Sequence, residues 1–388
     1  MLDFIHNIQT KVYFGKDVIS HLDESLRPFG TRVLLTYGGG SVKRSGLYDK
    51  VMTILKDGGF TVTELGGIDP NPRIESVREG VRLCKENDID VILAVGGGST
   101  IDCSKAIATG VYYEGDLWEM CATKHGVLKA LPLVDILTLS ATGSEFDAAA
   151  VISNMETNEK LGSTYTYPNV SLCDPQNTFT VPKSQTAAGT ADIMSHIFEG
   201  YFSQTNDSDL FDGIAETVLK SCIKNLPIAL AEPDNYAARA NLMANSSMAC
   251  SGIPEYGKKK TGWPCHAMEH ELSAYYDITH GVGLAILTPR WMRYILKKDP
   301  SCVWRFAQFA RNVWGMEGDD EMALANAAID RTEEFFKESG LPMNLTELGI
   351  DDTHFEAMAA HANASGRFAL GFVPLTNEDI VEIFKASL

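Results

Sequence analysis

The first half of the chain alternates short apolar, β-branched runs with segments that have helical periodicity. Strands are predicted at residues 31–37, 60–65, 90–95 and 133–139, and helices at 46–57, 73–87 and 101–109. Residues 151–173 are predicted to form a hairpin appended to the sheet. Strands separated by helices of this length indicate right-handed βαβ units and a largely parallel sheet.

The second half has a different pattern of apolar positions. Apolar residues recur with a period of 3.6 over residues 186–202, 210–224, 235–250, 263–276, 281–297, 303–313 and 321–339. Strand-like alternation is nearly absent from this half. We therefore predict two domains, an α/β domain at residues 1–181 and an all-helical domain at residues 182–388.

Composition and charge narrow the classes of protein to consider. The 388 residues are 45% hydrophobic and 22% charged, which is typical of a folded globular protein. The net charge of −18 disfavours nucleic acid and anionic membrane surfaces as partners. The chain shows no apolar run long enough to span a bilayer, no signal-peptide pattern at its start and no Cys-x-x-Cys pair. We expect a cytoplasmic protein with reduced thiols.

The motif Gly-Gly-Gly-Ser occurs twice, at residues 38–41 and 96–99, each time where a strand should give way to a helix. Glycines there let the backbone approach a ligand, and a helix N-terminus attracts a pyrophosphate. Neither copy matches Gly-x-Gly-x-x-Gly or the P-loop. The alternative is that both are tight βα turns without a ligand. Because the motif occurs twice in one sheet, nucleotide binding is favoured.

Histidines and one aspartate form a second pattern. Asp192 and His196 are spaced i, i+4, as are His266 and His270, so each pair shares a helix face, and His280 follows closely. Mixed carboxylate and imidazole ligands suit Fe²⁺ or Zn²⁺. The alternative is a set of polar residues on solvated or interhelical faces. The other histidines have no such neighbours and are predicted to be surface or capping residues: His6, His21, His125, His354 and His361.

Together, the motifs at residues 37–43, 96–102, 142–145 and 266–280 are highly specific. The chain resembles the iron-containing (group III) alcohol dehydrogenases over essentially its whole length, and most closely their butanol dehydrogenase branch. The resemblance implies an N-terminal Rossmann-like dinucleotide-binding α/β domain and an all-α metal-binding C-terminal domain. This is the dehydroquinate synthase-like fold, with cofactor and metal in a cleft between the domains.

The resemblance also implies site residues. The metal ligands fall on Asp192, His196, His266 and His280, while His270 matches a histidine near the nicotinamide and is the candidate catalytic residue. The implied cofactor-binding residues are Gly38, Gly39, Gly40, Ser41, Gly97, Gly98, Ser99, Asp102, Thr138, Ser140, Thr142, Asp147 and Lys160. Gly39 replaces an Asp of many NAD-preferring relatives, so the site is permissive for NADP(H) as well as NAD(H).

Two features near these motifs carry expectations of their own. Relatives usually have Asn where this chain has Asp147, so a donor is lost and a charge is added, and we expect altered cofactor orientation or affinity. Pro264 should hold Trp263 extended. Lys258, Lys259 and Lys260 are expected to lie in a solvated loop.

The implied activity is metal-dependent, NAD(P)H-dependent interconversion of short-to-medium primary alcohols, such as butanol, and their aldehydes. Two alternatives stay open: polyol oxidation like that of glycerol dehydrogenases, and a metallohydrolase. A non-catalytic metal or nucleotide binder ranks last. Relatives are often dimers, so a homo-oligomer is expected.

Overall fold

The computed structural model describes residues 1–123, 126 and 128–388. The chain divides into two compact units. The α/β unit comprises Asn7–Val181 and Pro233–Ser251, and the helical unit comprises Met1–His6, Pro182–Glu232 and Gly252–Leu388. One break coincides with the predicted change of character at residue 181, but the helix within residues 233–251 lies in the α/β unit. The α/β unit is therefore made of two separate segments of the chain.

The described part of the α/β unit contains a six-stranded sheet in the order β1-β8-β5-β4-β2-β3. Every neighbouring pair is parallel, which confirms the predicted parallel sheet. β6 and β7 pair antiparallel in a separate ribbon. The strands are β1 Lys11–Phe14, β2 Arg32–Gly38, β3 Thr61–Ile68, β4 Val91–Gly96, β5 Leu133–Leu137, β6 Ala149–Asn154, β7 Glu159–Thr164 and β8 Val170–Cys173.

The helices of the α/β unit connect or cover these strands. They are α1 Leu22–Leu26, α2 Ser41–Arg44, α3 Leu47–Asp57, α4 Ile74–Glu86, α5 Gly98–Gly110, α6 Leu117–Ala122 and, from later in the chain, α9 Tyr236–Cys250. Every residue of β4 and β5 is buried. Alternate β4 side chains pack on opposite faces, with Ile92 in the cluster that includes α4 and α5 and Leu93 in the cluster that includes α1 and α3.

The helical unit is built from the remaining α-helices. They are α7 Lys183–Tyr201, α8 Asp209–Ala231, α10 Pro264–Tyr276, α11 His280–Lys298, α12 Val303–Asn312, α13 Glu321–Glu338, α14 Phe355–Ala362 and α15 Asn377–Lys385. The predicted class, a Rossmann-like α/β part followed by helices, is confirmed. Among the described residues, no helix is both long and apolar enough to cross a membrane.

Two local predictions are wrong. Residues 151–173 do not form one hairpin, because β6 and β7 make the hairpin while β8 inserts into the parallel sheet between β1 and β5. Trp263 is not extended. Its φ of 55° and ψ of 62° place it in the left-handed region, against the preference that Pro264 imposes.

Candidate functional site

Three turns meet at the carboxyl edge of the sheet, because β2, β4 and β5 are consecutive parallel strands. This edge is where open α/β sheets bind their ligands. The predicted cofactor residues lie in or beside these turns: Gly38, Gly39, Gly40 and Ser41 after β2; Gly97, Gly98, Ser99 and Asp102 after β4; and Thr138, Ser140, Thr142 and Asp147 after β5. Lys160 lies on β7 and is buried.

The turn after β4 leaves no room for side chains. A Cβ on Gly98 would overlap the side chain of Thr142, and a Cβ on Gly97 would lie 3.1 Å from Cβ of Leu139. The first turn of α5 has no side-chain cap and no acidic residue. Its backbone N–H groups and the positive end of its dipole therefore suit an anion such as a pyrophosphate.

Asp102, in the first half of α5, connects this helix to the turn at residues 140–147 and to β6. Its Oδ1 accepts a hydrogen bond from Ser144 Oγ at 2.5 Å, and its Oδ2 accepts one from the Val151 N–H at 2.9 Å. Burial raises the pKa of Asp102 to about 6. Both carboxylate oxygens thus hold the turn and β6 against α5.

The charge of Asp147 is paired within the α/β unit. The ammonium of Lys105, a wholly buried residue, donates to Asp147 Oδ1 and to the Ala149 carbonyl, each at 2.7 Å. Burial acts to raise the pKa of Asp147, while Lys105 acts to lower it. The added carboxylate therefore has a cation beside it, which the sequence pattern did not indicate.

α9 supports the same turn from a distant part of the sequence. Ser246 Oγ accepts hydrogen bonds from the N–H groups of Ala141 at 3.0 Å and Gly143 at 3.2 Å. Ser247 Oγ donates to Glu145 Oε1 at 2.6 Å. Sequence reasoning missed these two serines, although two adjacent serines inside a largely buried helix are a signal of buried polar contacts.

The helical unit brings the predicted metal ligands together. Asp192 Oδ1 lies 3.6 Å from His196 Nε2, 3.8 Å from His266 Nε2 and 3.7 Å from His280 Nε2. A tetrahedral metal with bonds of about 2.0–2.2 Å places its ligand atoms roughly 3.3–3.6 Å apart. The three Nε2 atoms therefore lie at or slightly beyond this spacing from Asp192 Oδ1, and ligand atoms of Asp192, His196 and His266 all lie within 4.8 Å of one another.

Unsatisfied atoms point to the same centre. Asp192 Oδ1 and His266 Nε2 are buried and have no hydrogen-bond partner among the described residues. Buried polar groups without partners are costly, and a metal ion would satisfy both atoms at once. The donor set of one carboxylate and three imidazoles fits Fe²⁺ or Zn²⁺.

Two glutamates contact Nδ1 of His266 and of His280, the ring nitrogens opposite the Nε2 atoms around Asp192. Glu199 Oε1 lies 3.0 Å from His266 Nδ1 and also accepts the His266 backbone N–H at 2.8 Å. Glu269 contacts His280 Nδ1 and accepts from Ser273 Oγ. Such carboxylates fix the ring orientation so that Nε2 faces the metal.

Sequence reasoning missed Glu199 and Glu269, although spacing could have revealed Glu199. Asp192, His196 and Glu199 are related by i, i+4 and i+7, which is one face of α7. Glu269 lies inside the histidine motif of α10 and is wholly buried.

The protonation states of the cluster are largely those that metal binding needs. Burial acts to raise the pKa of Asp192, but the surrounding imidazoles outweigh it and hold that pKa below its usual range. Burial lowers the pKa of His196 to about 3, so this ring is neutral at pH 7. For His266, the neighbouring carboxylates of Asp192 and Glu199 outweigh burial and raise the pKa to about 9, so a proton competes with the metal there.

His270 lies one helical turn beyond His266 on α10 and is only partly buried. Its ring centroid is 5.7 Å from that of His280, and a nitrogen of His270 lies within 4.8 Å of ligand atoms of Glu269 and His280. The imidazole of His270 thus lies beside His280, a candidate metal ligand, without belonging to the set around Asp192.

The lysine run is not a uniformly solvated loop, contrary to expectation. Lys259 and Lys260 are exposed, but Lys258 is buried and its Nζ lies 2.6 Å from Asp212 Oδ1. Arg305 Nη1 also donates to Asp212, at 2.5 Å. Lys258 therefore belongs to a buried ion cluster that joins α8, α12 and the segment before α10.

The remaining described histidines do not belong to the cluster around Asp192. His6 and His354 are exposed, and His21 and His354 precede the helices α1 and α14. His361 is paired with Glu271 Oε1 at 2.8 Å. His125 lies outside the described residues.

Family models match both halves of the chain. The iron-containing alcohol dehydrogenase model matches residues 9–175, and the C-terminal model of the Fe-containing alcohol dehydrogenase family matches residues 186–388.

Individual proteins are similar over their whole length. NADH-dependent butanol dehydrogenase A of Clostridium acetobutylicum is 52% identical, with 100% of both chains covered. The NADPH-dependent aldehyde reductase YqhD of Escherichia coli is 37% identical, over 96% of this chain and 95% of the relative. The crystal structure of NADH-dependent butanol dehydrogenase A from Thermotoga maritima matches with a TM-score of 0.94 at 38% identity, over 100% of this chain and 99% of that one. With its glycine turns and its cluster of one aspartate and three histidines, the chain belongs to the iron-containing alcohol dehydrogenase family, in the butanol dehydrogenase branch.

Proposed function

We propose that the chain catalyses reversible hydride transfer between NAD(P)H and short-to-medium aliphatic aldehydes, giving primary alcohols such as butanol. The observation that carries the proposal is the convergence of three imidazole Nε2 atoms on Asp192 Oδ1 at 3.6–3.8 Å. In a family of alcohol dehydrogenases, a metal held at such a centre would supply a Lewis acid for the substrate oxygen.

The chain's own residues have distinct roles in this proposal. Asp192, His196, His266 and His280 hold the metal, with iron the first candidate and zinc the second. When bound, the metal polarises the substrate oxygen and the reduced nicotinamide supplies the hydride. Glu199 and Glu269 keep two imidazoles aligned. His270 passes the proton that the reduced oxygen takes up, since an imidazole titrates near neutral pH.

The cofactor is assigned to the α/β unit. We propose that the α5 N-terminus at Gly97, Gly98 and Ser99 binds the pyrophosphate, while the turn after β2 faces the adenosine ribose. Residues 138–147 and Lys160 then run beside the nicotinamide. Gly39 leaves space for a 2′-phosphate, and similar proteins include both NADH- and NADPH-dependent enzymes.

The relatives reported above do not favour the two alternative activities. The relatives reported above are a butanol dehydrogenase and an aldehyde reductase, not glycerol dehydrogenases or hydrolases. We further propose that the protein forms a homo-oligomer, as a dimer or larger. All eight cysteines lie in the described part of the chain and are free, which supports a reducing, cytoplasmic location.

The test is nicotinamide oxidation with butyraldehyde as substrate. Protein stripped of metal is reloaded with Fe²⁺ or with Zn²⁺ and supplied with NADH or NADPH, while absorbance of the reduced nicotinamide is followed. We expect turnover that depends on the metal, and the faster pairing identifies the preferred cofactor and ion. Glycerol with NAD⁺ serves as the comparison substrate. Loaded enzyme that oxidises glycerol but reduces no aldehyde would contradict the proposal.

A further inference from the structure

The segment before α10 contains two consecutive residues with left-handed backbones. Gly262 has φ of 74°, and Trp263 has φ of 55° and ψ of 62°. Glycine adopts this region freely, but a bulky residue there is an outlier, and the proline that follows disfavours it further. Outliers of this kind persist only where the surroundings enforce them, and they cluster at functional sites.

Neighbouring residues enforce this conformation. Arg367 Nε donates to the Gly262 carbonyl at 2.6 Å, and Thr261 Oγ1 donates to the Glu199 carbonyl at 2.6 Å. The Trp263 carbonyl accepts the Ala267 N–H at 3.0 Å, which is a first hydrogen bond of α10. Contacts to three different segments therefore fix the backbone on both sides of Trp263.

The strained backbone places the indole beside the candidate metal ligands. The Trp263 ring centroid lies 4.9 Å from that of His266 and 5.6 Å from that of His196. The side chain is only partly buried, so part of its apolar surface stays available.

We propose that Trp263 is a specificity-determining residue whose indole forms the apolar wall for the alkyl chain of the substrate. The inference rests on the proposed function and sharpens it toward unbranched aliphatic aldehydes of about three to five carbons. An apolar wall favours methylene groups, whereas the additional hydroxyls of a polyol would lose hydrogen bonds to water against it.

The first experiment tests the position of the indole without any turnover. Intrinsic tryptophan fluorescence of the full chain is followed while Co²⁺ is added to metal-stripped protein. Trp263→Phe and Trp304→Phe are compared, because Trp304 is also a partly buried tryptophan of the helical unit. We expect quenching in the wild type and in Trp304→Phe, and its loss in Trp263→Phe. Equal quenching in all three proteins would overturn the placement beside the metal.

The second experiment tests specificity. The ratio of kcat/KM for butyraldehyde to that for acetaldehyde is measured in the metal-loaded wild type, Trp263→Phe and Trp263→Ala. We expect this ratio to fall about tenfold or more in Trp263→Ala, and to change less than about threefold in Trp263→Phe, which keeps an aromatic wall. A uniform loss for both aldehydes, or a lower metal content alone, would overturn the proposal and leave Trp263 a packing residue.

The two ways of failing are distinguishable. A loaded wild type that reduces no aldehyde overturns the proposed function, and the substrate wall with it. A wild type that reduces aldehydes, combined with an unchanged butyraldehyde-to-acetaldehyde ratio in Trp263→Ala, overturns only the role of Trp263.

Discussion

The candidate cofactor site of the α/β unit and the candidate metal site of the helical unit are built in opposite ways. In the α/β unit, the turn after β4 offers backbone N–H groups, and side chains are excluded because a Cβ on Gly98 would overlap Thr142. In the helical unit, histidine side chains from α7, α10 and α11 place three Nε2 atoms around Asp192 Oδ1 as candidate metal ligands. The first site depends on space that is left free, and the second depends on donor atoms that are present.

This difference implies different responses to mutation. A backbone site tolerates changes of side-chain chemistry nearby but not added volume, whereas a side-chain site is lost when one buried donor is removed. Each site also has supporting residues, the serines of α9 in one unit and Glu199 and Glu269 in the other. Substitutions at the two sites and at their supporting residues should therefore differ in both the kind and the size of their effects.

The largest effect is expected from Asp192→Ala. This change removes the atom on which three imidazoles converge, so we expect loss of the bound metal and a drop in kcat/KM of more than about 100-fold. Elemental analysis and aldehyde reduction measure the two effects. Asp209→Ala, an exposed acid at the start of α8, is the control and should match the wild type. Full metal content in Asp192→Ala would refute the ligand assignment.

Gly98→Ala should damage the backbone site without touching the metal. The added Cβ pushes against Thr142, so we expect the KM for the reduced nicotinamide to rise about tenfold or more while metal content stays unchanged. Gly213→Ala in α8 is the matched control, because a Cβ there meets nothing within 4 Å and the residue lies outside the proposed cofactor site. A Gly98→Ala enzyme with the KM of the wild type would argue against cofactor binding at the α5 N-terminus.

Glu199→Gln tests a residue that positions a candidate metal ligand, His266, rather than one that binds the metal itself. Glutamine keeps an acceptor for His266 but loses the negative charge, so we expect metal affinity to fall about tenfold. A competition titration against a chelator measures this change. Glu382→Gln, an exposed glutamate on α15, should leave the affinity unchanged. If both variants bind metal like the wild type, the carboxylate behind His266 is dispensable.

Glu145 gives a pH-dependent test in the α/β unit. Burial raises its pKa from 4.5 to about 6, so the folded protein holds a proton that the unfolded chain releases between these values. Stability therefore falls as pH rises through this window, and Glu145→Gln should remove a destabilisation on the order of 1–2 kcal/mol at neutral pH. Melting curves from pH 4 to 7 for wild type and variant should diverge as pH rises. Parallel curves would contradict the prediction.

The smallest effect concerns the backbone of Trp263. Both Trp263→Ala and Trp263→Gly remove the indole, but only glycine adopts a φ of 55° without strain. We expect the glycine variant to be more stable than the alanine variant by about 1 kcal/mol, which reverses the usual order of these two residues near a helix. Denaturant unfolding of the two variants measures the difference. The usual order would mean that the left-handed backbone stores no strain.

Sequence patterns predicted the features that depend on neighbours along the chain. The i, i+4 spacing of Asp192 and His196 places both on one face of α7, and the glycine turns follow β2 and β4 as the alternation of elements requires. Local periodicity carries this information because one element contains all the residues concerned.

Features that depend on distant contacts were missed or mistaken. The sequence around Lys258 predicts a solvated basic loop, but the fold brings Asp212, which is distant in sequence, into contact with it. The rule for residues before proline fails at Trp263 because tertiary hydrogen bonds around Gly262 outweigh a local preference. The pairing of Asp147 with Lys105 likewise depends on the fold that brings α5 against β6.

The placement of α9 has a consequence for the order in which the protein acquires structure. All the strands of the sheet are translated before residue 182, but α9 follows only at residues 236–250. At roughly 5–20 residues per second, several seconds separate the two on the ribosome. The turn at residues 140–147 therefore lacks its hydrogen bonds with Ser246 and Ser247 until α9 is made, and α7, which carries Asp192 and His196, is made before this candidate cofactor edge is complete.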